Sequence, residues 1–320
     1  MSEIAHPAPD GWLKRFFLSL VILALLAGLL LVPWAVCWLT ASGELDQEEV
    51  VARQAQGEFV LFGPGLAQDI MTYKLALYAA VKPEVVVLGS SRAGNVRAAF
   101  FERPFVNMAG AATDLESLRL LVDRMLAVHR PRVVLLGLDF WWLTAGAPAG
   151  RPERIVQPSL LDASTLRAPW RWLVQGRIAP ADMLAPLQHR LRADRYGLEA
   201  QLRDTGYGPD GSLYEGAVLD GRRPAPDHAF ARTLRELESG SGVWAGSLAP
   251  DRERLEAFAE ICCRLRSRGI RTIVFLPPLA TPVLGALADR NGGDAGWLSA
   301  LRQGLLDCGV ESMDFSAIAR

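Results

Sequence analysis

The sequence predicts an α/β fold, a doubly wound parallel sheet of about five strands, preceded by one N-terminal transmembrane helix. Three observations carry this reading. Residues 16–39 contain no charged side chain; β-rich apolar runs recur downstream, each bounded by Pro or Gly; and stretches with helical spacing separate those runs.

The apolar segment comes first. At about 1.5 Å per residue, residues 16–39 are long enough to cross a hydrocarbon core of about 30 Å. Trp12, Trp34 and Trp38 stand near its ends, where indoles prefer the interface. Lys14 and Arg15 precede it, whereas Glu44, Asp46, Glu48 and Glu49 follow it. The positive-inside bias therefore places residues 1–15 in the cytoplasm and the rest outside, in the periplasm of a cell with an inner membrane. A cleaved signal peptide ending near Ala41-Ser42-Gly43 is the rival reading, but the apolar run exceeds the usual h-region of about 7–15 residues. Val36 is too bulky for the small residue expected before a lipidated Cys37.

After an acidic connector over residues 40–66, the α/β domain is expected to fill 67–320. Residues 85–88, between Pro83 and Gly89, read as a strand buried on both faces. A shorter strand ends near Asn107. Residues 114–128 then space Leu115, Leu118, Leu121, Val122 and Met125 as a helix, with Thr113 or Asp114 as N-cap. A third strand runs between Pro131 and Gly137. Helix, strand, helix and short strand follow over 254–268, 269–278, 297–306 and 310–315. Between about 144 and 250 the alternation is lost, and that stretch reads as a partly helical insertion beyond the third strand.

Charge excludes some classes. The 34 basic and 35 acidic residues nearly cancel, and the arginines are scattered, so no nucleic-acid surface is expected. The four cysteines, Cys37, Cys262, Cys263 and Cys308, form no CxxC or Cys/His pattern, so no zinc site is expected, while a Cys308 bridge to Cys262 or Cys263 is open. Dinucleotide and P-loop glycine patterns are missing, and no cofactor is expected.

Chemistry is best placed at Gly89-Ser90-Ser91-Arg92, which ends the first buried strand. A serine there presents its hydroxyl to solvent and its developing negative charge to backbone amides. Helix N-capping is the bland alternative. Arg92 could hold an acyl or sugar oxygen, or simply be solvated. Trp141 and Trp142 could wall a sugar ring or pack the insertion, and Asp139 could cap the turn leaving the third strand.

The segment "VVVLGSSRAGNV" resembles the first block of the SGNH (GDSL-like) hydrolase family, in which a Gly-Asp-Ser follows strand one and the serine is the nucleophile. Ser91 matches that serine and Ser90 replaces the aspartate. "VNMAGAATD" is similar to the second block, with Asn107 at its start and Gly110 or Ala112 as the oxyanion-hole amide. "VVLLGLDFWW" falls at the third block, where Gly137 matches and Asp139 replaces the oxyanion-hole asparagine; a carboxylate there repels negative charge unless protonated. The late Asp-x-x-His is not matched, since Ala317 stands three residues after Asp314. Of His6, His129, His189 and His228, only the last two, in the insertion, are candidate bases, so the chain reads as one that stops before its final catalytic block.

The Gly-Ser-Ser variant behind an N-terminal anchor looks most like the SGNH-like proteins that accompany membrane-bound O-acyltransferases. The resemblance implies an esterase or acyltransferase acting on acyl (acetyl) esters of an extracytoplasmic polysaccharide. The alternative is a non-catalytic accessory protein that binds a glycan or a membrane-bound O-acyltransferase. The expected partners are thus the lipid bilayer, a polysaccharide and such an acyltransferase.

Overall fold

The computed structural model describes residues 10–66, 70–145, 158–188, 190–222, 224, 227–245, 249–291 and 296–315. Helix α1 (Asp10–Ala41) is followed by α2 (Gln47–Ala55), β1 (Leu61–Phe62) and α3 (Ile70–Val81). The alternating part begins with β2 (Val85–Gly89), β3 (Phe105–Asn107), α4 (Leu115–Val128) and β4 (Val133–Gly137). The insertion contributes α5 (Ala163–Val174), β5 (Arg195–Tyr196), α6 (Leu198–Arg203), β6 (Thr205–Tyr207), β7 (Leu213–Glu215), α7 (Gly216–Leu219) and α8 (Ala231–Ser239). It returns through α9 (Arg252–Ser267), β8 (Arg271–Leu276), α10 (Thr281–Asn291), α11 (Gly296–Asp307) and β9 (Glu311–Asp314).

Five strands pair in the order β3-β2-β4-β8-β9, all parallel. Counted in chain order among themselves, the five strands therefore lie 2-1-3-4-5. Gly89 lies opposite Gly137, so the residues that follow β2 and β4 emerge side by side at the carboxyl edge. Strand alternation splits the apolar residues between two faces. Val86, Leu88, Val134, Leu136, Val274 and Leu276 pack under α3, α4, α9 and α11 in the main core. Val85, Val87, Val133, Leu135 and Phe275 face the other way, onto Ala93, Phe101, Phe105 and Ala109.

No α-helix among the described residues enters that second cluster, whereas a doubly wound sheet carries helices on both faces. The cause is local. The link from β2 to β3 holds only the 3-10 turns Ser91–Ala93 and Ala98–Phe100, and Gly94, Asn95 and Pro104 interrupt anything longer.

Two stretches differ from the sequence reading. The segment read as a connector forms α2, whose Val50, Val51 and Gln54 are buried, and β1, which joins β5, β6 and β7 in a second, mixed sheet. Its few apolar residues are spaced for burial, but Glu48, Glu49 and Arg53 between them hide the pattern. The sequence reading also places no helix at α3 or α10; α3 is apolar on nearly every side, which blurs a 3.6-residue period.

Helix α1 is the one helix among the described residues long and apolar enough to cross a membrane, over Trp12–Ala41. Among its described side chains those from Trp12 to Pro33 are exposed, and Ala35, Trp38 and Leu39 are buried in the folded domain. Cys263 pairs with Cys308, at a Cα separation of 5.2 Å, and ties α9 to the end of α11. Its helical neighbour Cys262 points into the core instead.

Candidate functional site

The turn after β2 is built around glycine and two serines. Gly89 adopts φ +132°, and a Cβ there would meet the Gly137 carbonyl oxygen at 2.3 Å, so no other residue lets β2 and β4 close at this point. Ser90 then caps the 3-10 turn, its Oγ accepting from the Arg92 amide at 3.2 Å. Ser91 is exposed at the carboxyl edge. The two serines thus divide the roles that the sequence left open, one capping and one facing solvent.

Arg92 turns inward. Its guanidinium donates to Asp139 Oδ1 at 2.5 Å and to the Pro277 and Pro278 carbonyls at 2.9 and 2.6 Å, stitching the ends of β2, β4 and β8 together. It also lies 5.4 Å over the Trp141 ring. Asp139 is fully buried, and burial pushes its carboxyl above the ordinary range, opposed by Arg92 and by the Ser90 hydroxyl. Its Oδ2 has no hydrogen-bond partner among the described residues. Asp139 therefore does not cap the turn it begins.

The remaining candidates separate in the same way. Asn107 is buried and braces the loops; its Nδ2 donates to the Ala93 and Val96 carbonyls at 2.9 Å each, and its Oδ1 accepts from the Ala109 amide. The Gly110 amide is committed to the Gly89 carbonyl at 2.8 Å. Ala112, the other oxyanion candidate, is buried and its amide has no hydrogen bond among the described residues. Trp142 is buried in the main core, so only Trp141 borders the site, edge-on to Phe140 and Trp244.

His129 ends α4 and contacts the Pro83 carbonyl at 3.2 Å, at the amino edge of the sheet and away from Ser91. His228 is exposed in a 3-10 turn of the insertion, and His6 and His189 lie outside the described residues. Among the described residues no histidine is hydrogen-bonded to Ser91. No family model, curated protein or solved structure matches this chain.

The site's geometry includes residues the sequence reading did not single out. A loop of the insertion closes over the end of β3, where the Asn107 amide donates to the Asp210 carbonyl at 2.7 Å. The Asp210 carboxylate accepts from the Ala98 amide, and Arg97 donates to Ser212 while lying 3.8 Å over the Tyr214 ring. Beneath them the fully buried Lys74 donates to the Asn107 and Gly211 carbonyls and sits 4.1 Å over the Tyr207 ring. Burial lowers its ammonium to about 7, opposed by Asp210. One signal in the sequence pointed to it, a single lysine in the otherwise uncharged run of α3. A separate cleft of about 560 Å³ opens between α4 and α9, lined by Asp114, Glu116, Arg119, Glu253, Arg254 and Arg264 among others; Ser91, Arg92 and Asp139 do not line it.

Proposed function

We propose that the chain is a membrane-anchored, SGNH-like esterase or acyltransferase that works on acyl esters of an extracytoplasmic polysaccharide, with Ser91 as nucleophile. The observation that carries this reading is the exposed Ser91 at the carboxyl end of the first strand of a 2-1-3-4-5 parallel sheet, which is where open α/β sheets place their ligands. The apolar α1 supports the anchor, and the charge asymmetry around it supports a cytoplasmic N-terminus. The Cys263–Cys308 bridge supports an oxidising compartment for the domain.

In the proposed chemistry Ser91 Oγ attacks the acyl carbonyl carbon and passes its proton to a base. The carbonyl oxygen becomes an oxyanion, for which the family resemblance offers the Ala112 amide. Collapse breaks the ester bond and expels the sugar oxygen, which takes the proton back from that base to become a hydroxyl, and leaves an acyl-serine for water or a second hydroxyl to resolve. The described residues supply no base to Ser91. That observation, with Asp139 already held by Arg92 where the family carries an asparagine, favours a second reading, an accessory protein that binds a glycan or a membrane-bound O-acyltransferase without turnover.

The two readings part on one experiment. Native membranes containing the protein are treated with a serine-directed fluorophosphonate. The enzyme reading expects labelling that Ser91→Ala abolishes; absence of labelling, with an acylated glycan still bound, favours the accessory protein.

A further inference from the structure

We infer that one face of α5, together with the loop that follows it, docks onto an anionic phospholipid surface, so that the domain lies against the membrane instead of swinging from its anchor. This rests on the reading of α1 as a membrane span. Thr165, Ala168, Pro169 and Trp172 are the buried side of α5. Arg167, Trp170, Arg171 and Val174 recur at i, i+3, i+4 and i+7 and form the opposite stripe, with Val174 88% exposed. The following loop adds exposed Leu184 and Leu187. Two arginines beside an indole and bare aliphatic side chains suit the boundary between anionic headgroups and acyl chains.

The level of this face follows from α1. Residues 12–33, whose described side chains are exposed, span about 33 Å at about 1.5 Å per residue, close to the hydrocarbon thickness of about 30 Å. The outer surface of the bilayer then falls at Trp34. Trp170 packs against Trp34 with ring centres 4.0 Å apart and planes tilted by 39°, and its Nε1 donates to the Leu31 carbonyl at 3.2 Å, inside that boundary. Trp34 and Trp38 both donate to the Met183 carbonyl, next to Leu184. Helix α5 and the loop are therefore held at the height where α1 leaves the bilayer, and their apolar side chains continue its apolar surface.

The test uses the full chain with Cys37→Ser, buried Cys262 being inaccessible to dye. It is reconstituted in phosphatidylcholine vesicles with or without phosphatidylglycerol. A fluorophore is placed at Val174→Cys or Leu184→Cys, at Arg103→Cys as an exposed control, and at Leu26→Cys within the span. Shallow spin-labelled lipid is expected to quench positions 174 and 184 at least about two-fold more than position 103. The Arg167→Glu/Arg171→Glu pair should bring them back toward the control in the phosphatidylglycerol vesicles. Quenching at 174 and 184 no stronger than at 103, with position 26 quenched by deep labels, overturns the docking while the anchor stands, and leaves the face to a protein neighbour. An unquenched position 26 overturns the anchor and the docking with it.

Discussion

Two carboxylates are buried in this molecule at opposite kinds of place, and they are satisfied differently. Glu44, just past the end of α1, accepts from the backbone amides of Gly65 and Leu66 at 2.5 Å each and from that of Leu198 at 2.8 Å. It clamps the anchor's exit to the 63–66 loop and to the first turn of α6. Asp139, at the carboxyl edge of the sheet, has one oxygen on Arg92 and the other without a partner among the described residues. A carboxylate held by main-chain donors on both oxygens is a structural joint that stands by itself, whereas Asp139 is buried with Arg92 as its ion-pair partner and depends on that one side chain. The same burial raises both groups, so the difference between them lies in their partners.

The largest effect is expected at Arg92. Arg92→Met leaves Asp139 buried without its ion-pair partner and should cost about 3–5 kcal/mol in a denaturant unfolding experiment. Adding Asp139→Asn should recover most of that loss. A cost under about 1 kcal/mol would mean that the pair does not hold the strand ends together.

Next comes the pH dependence of the Glu44 clamp. Burial raises its carboxyl from 4.5 to about 7, so in that window the folded protein keeps a proton that the unfolded chain has released. Stability from this group is therefore full below about pH 4.5 and is lost as pH rises toward 7, by at most about 3 kcal/mol. Glu44→Gln should flatten that slope when unfolding is followed across the window. An unchanged slope would assign it to other groups.

The smallest expected effect on stability is at Ser91. Its exposed hydroxyl has no hydrogen bond among the described residues, so Ser91→Ala should shift the unfolding free energy by less than about 0.5 kcal/mol. A larger loss would turn Ser91 into a second structural joint and erase the contrast with Glu44.

The contrast also marks what could be read in the sequence. The five sheet strands, the Asp114 cap and the apolar α1 follow local signals, namely Pro or Gly at strand ends, helical spacing, and an uncharged run, and all are where those signals put them. Ser91 and Trp141 at the carboxyl edge follow from strand order. The partners of Arg92 do not, because Pro277 and Pro278 are remote in sequence and meet it only once β2, β4 and β8 align. The Glu44 clamp was hidden for the same reason: in sequence Glu44 is one of several acidic residues, and its role depends on amides about 20 and about 150 residues away. The braces at Asn107 and Lys74 rest on an insertion whose irregular backbone carries no period to read.

The most direct test of Ser91 as the reacting group is acetate release from O-acetylated polysaccharide by native membranes, compared between the wild-type chain and Ser91→Ala. The account predicts a fall of at least about 100-fold in Ser91→Ala, with the unfolding profile unchanged. Equal rates in the two membranes would contradict it.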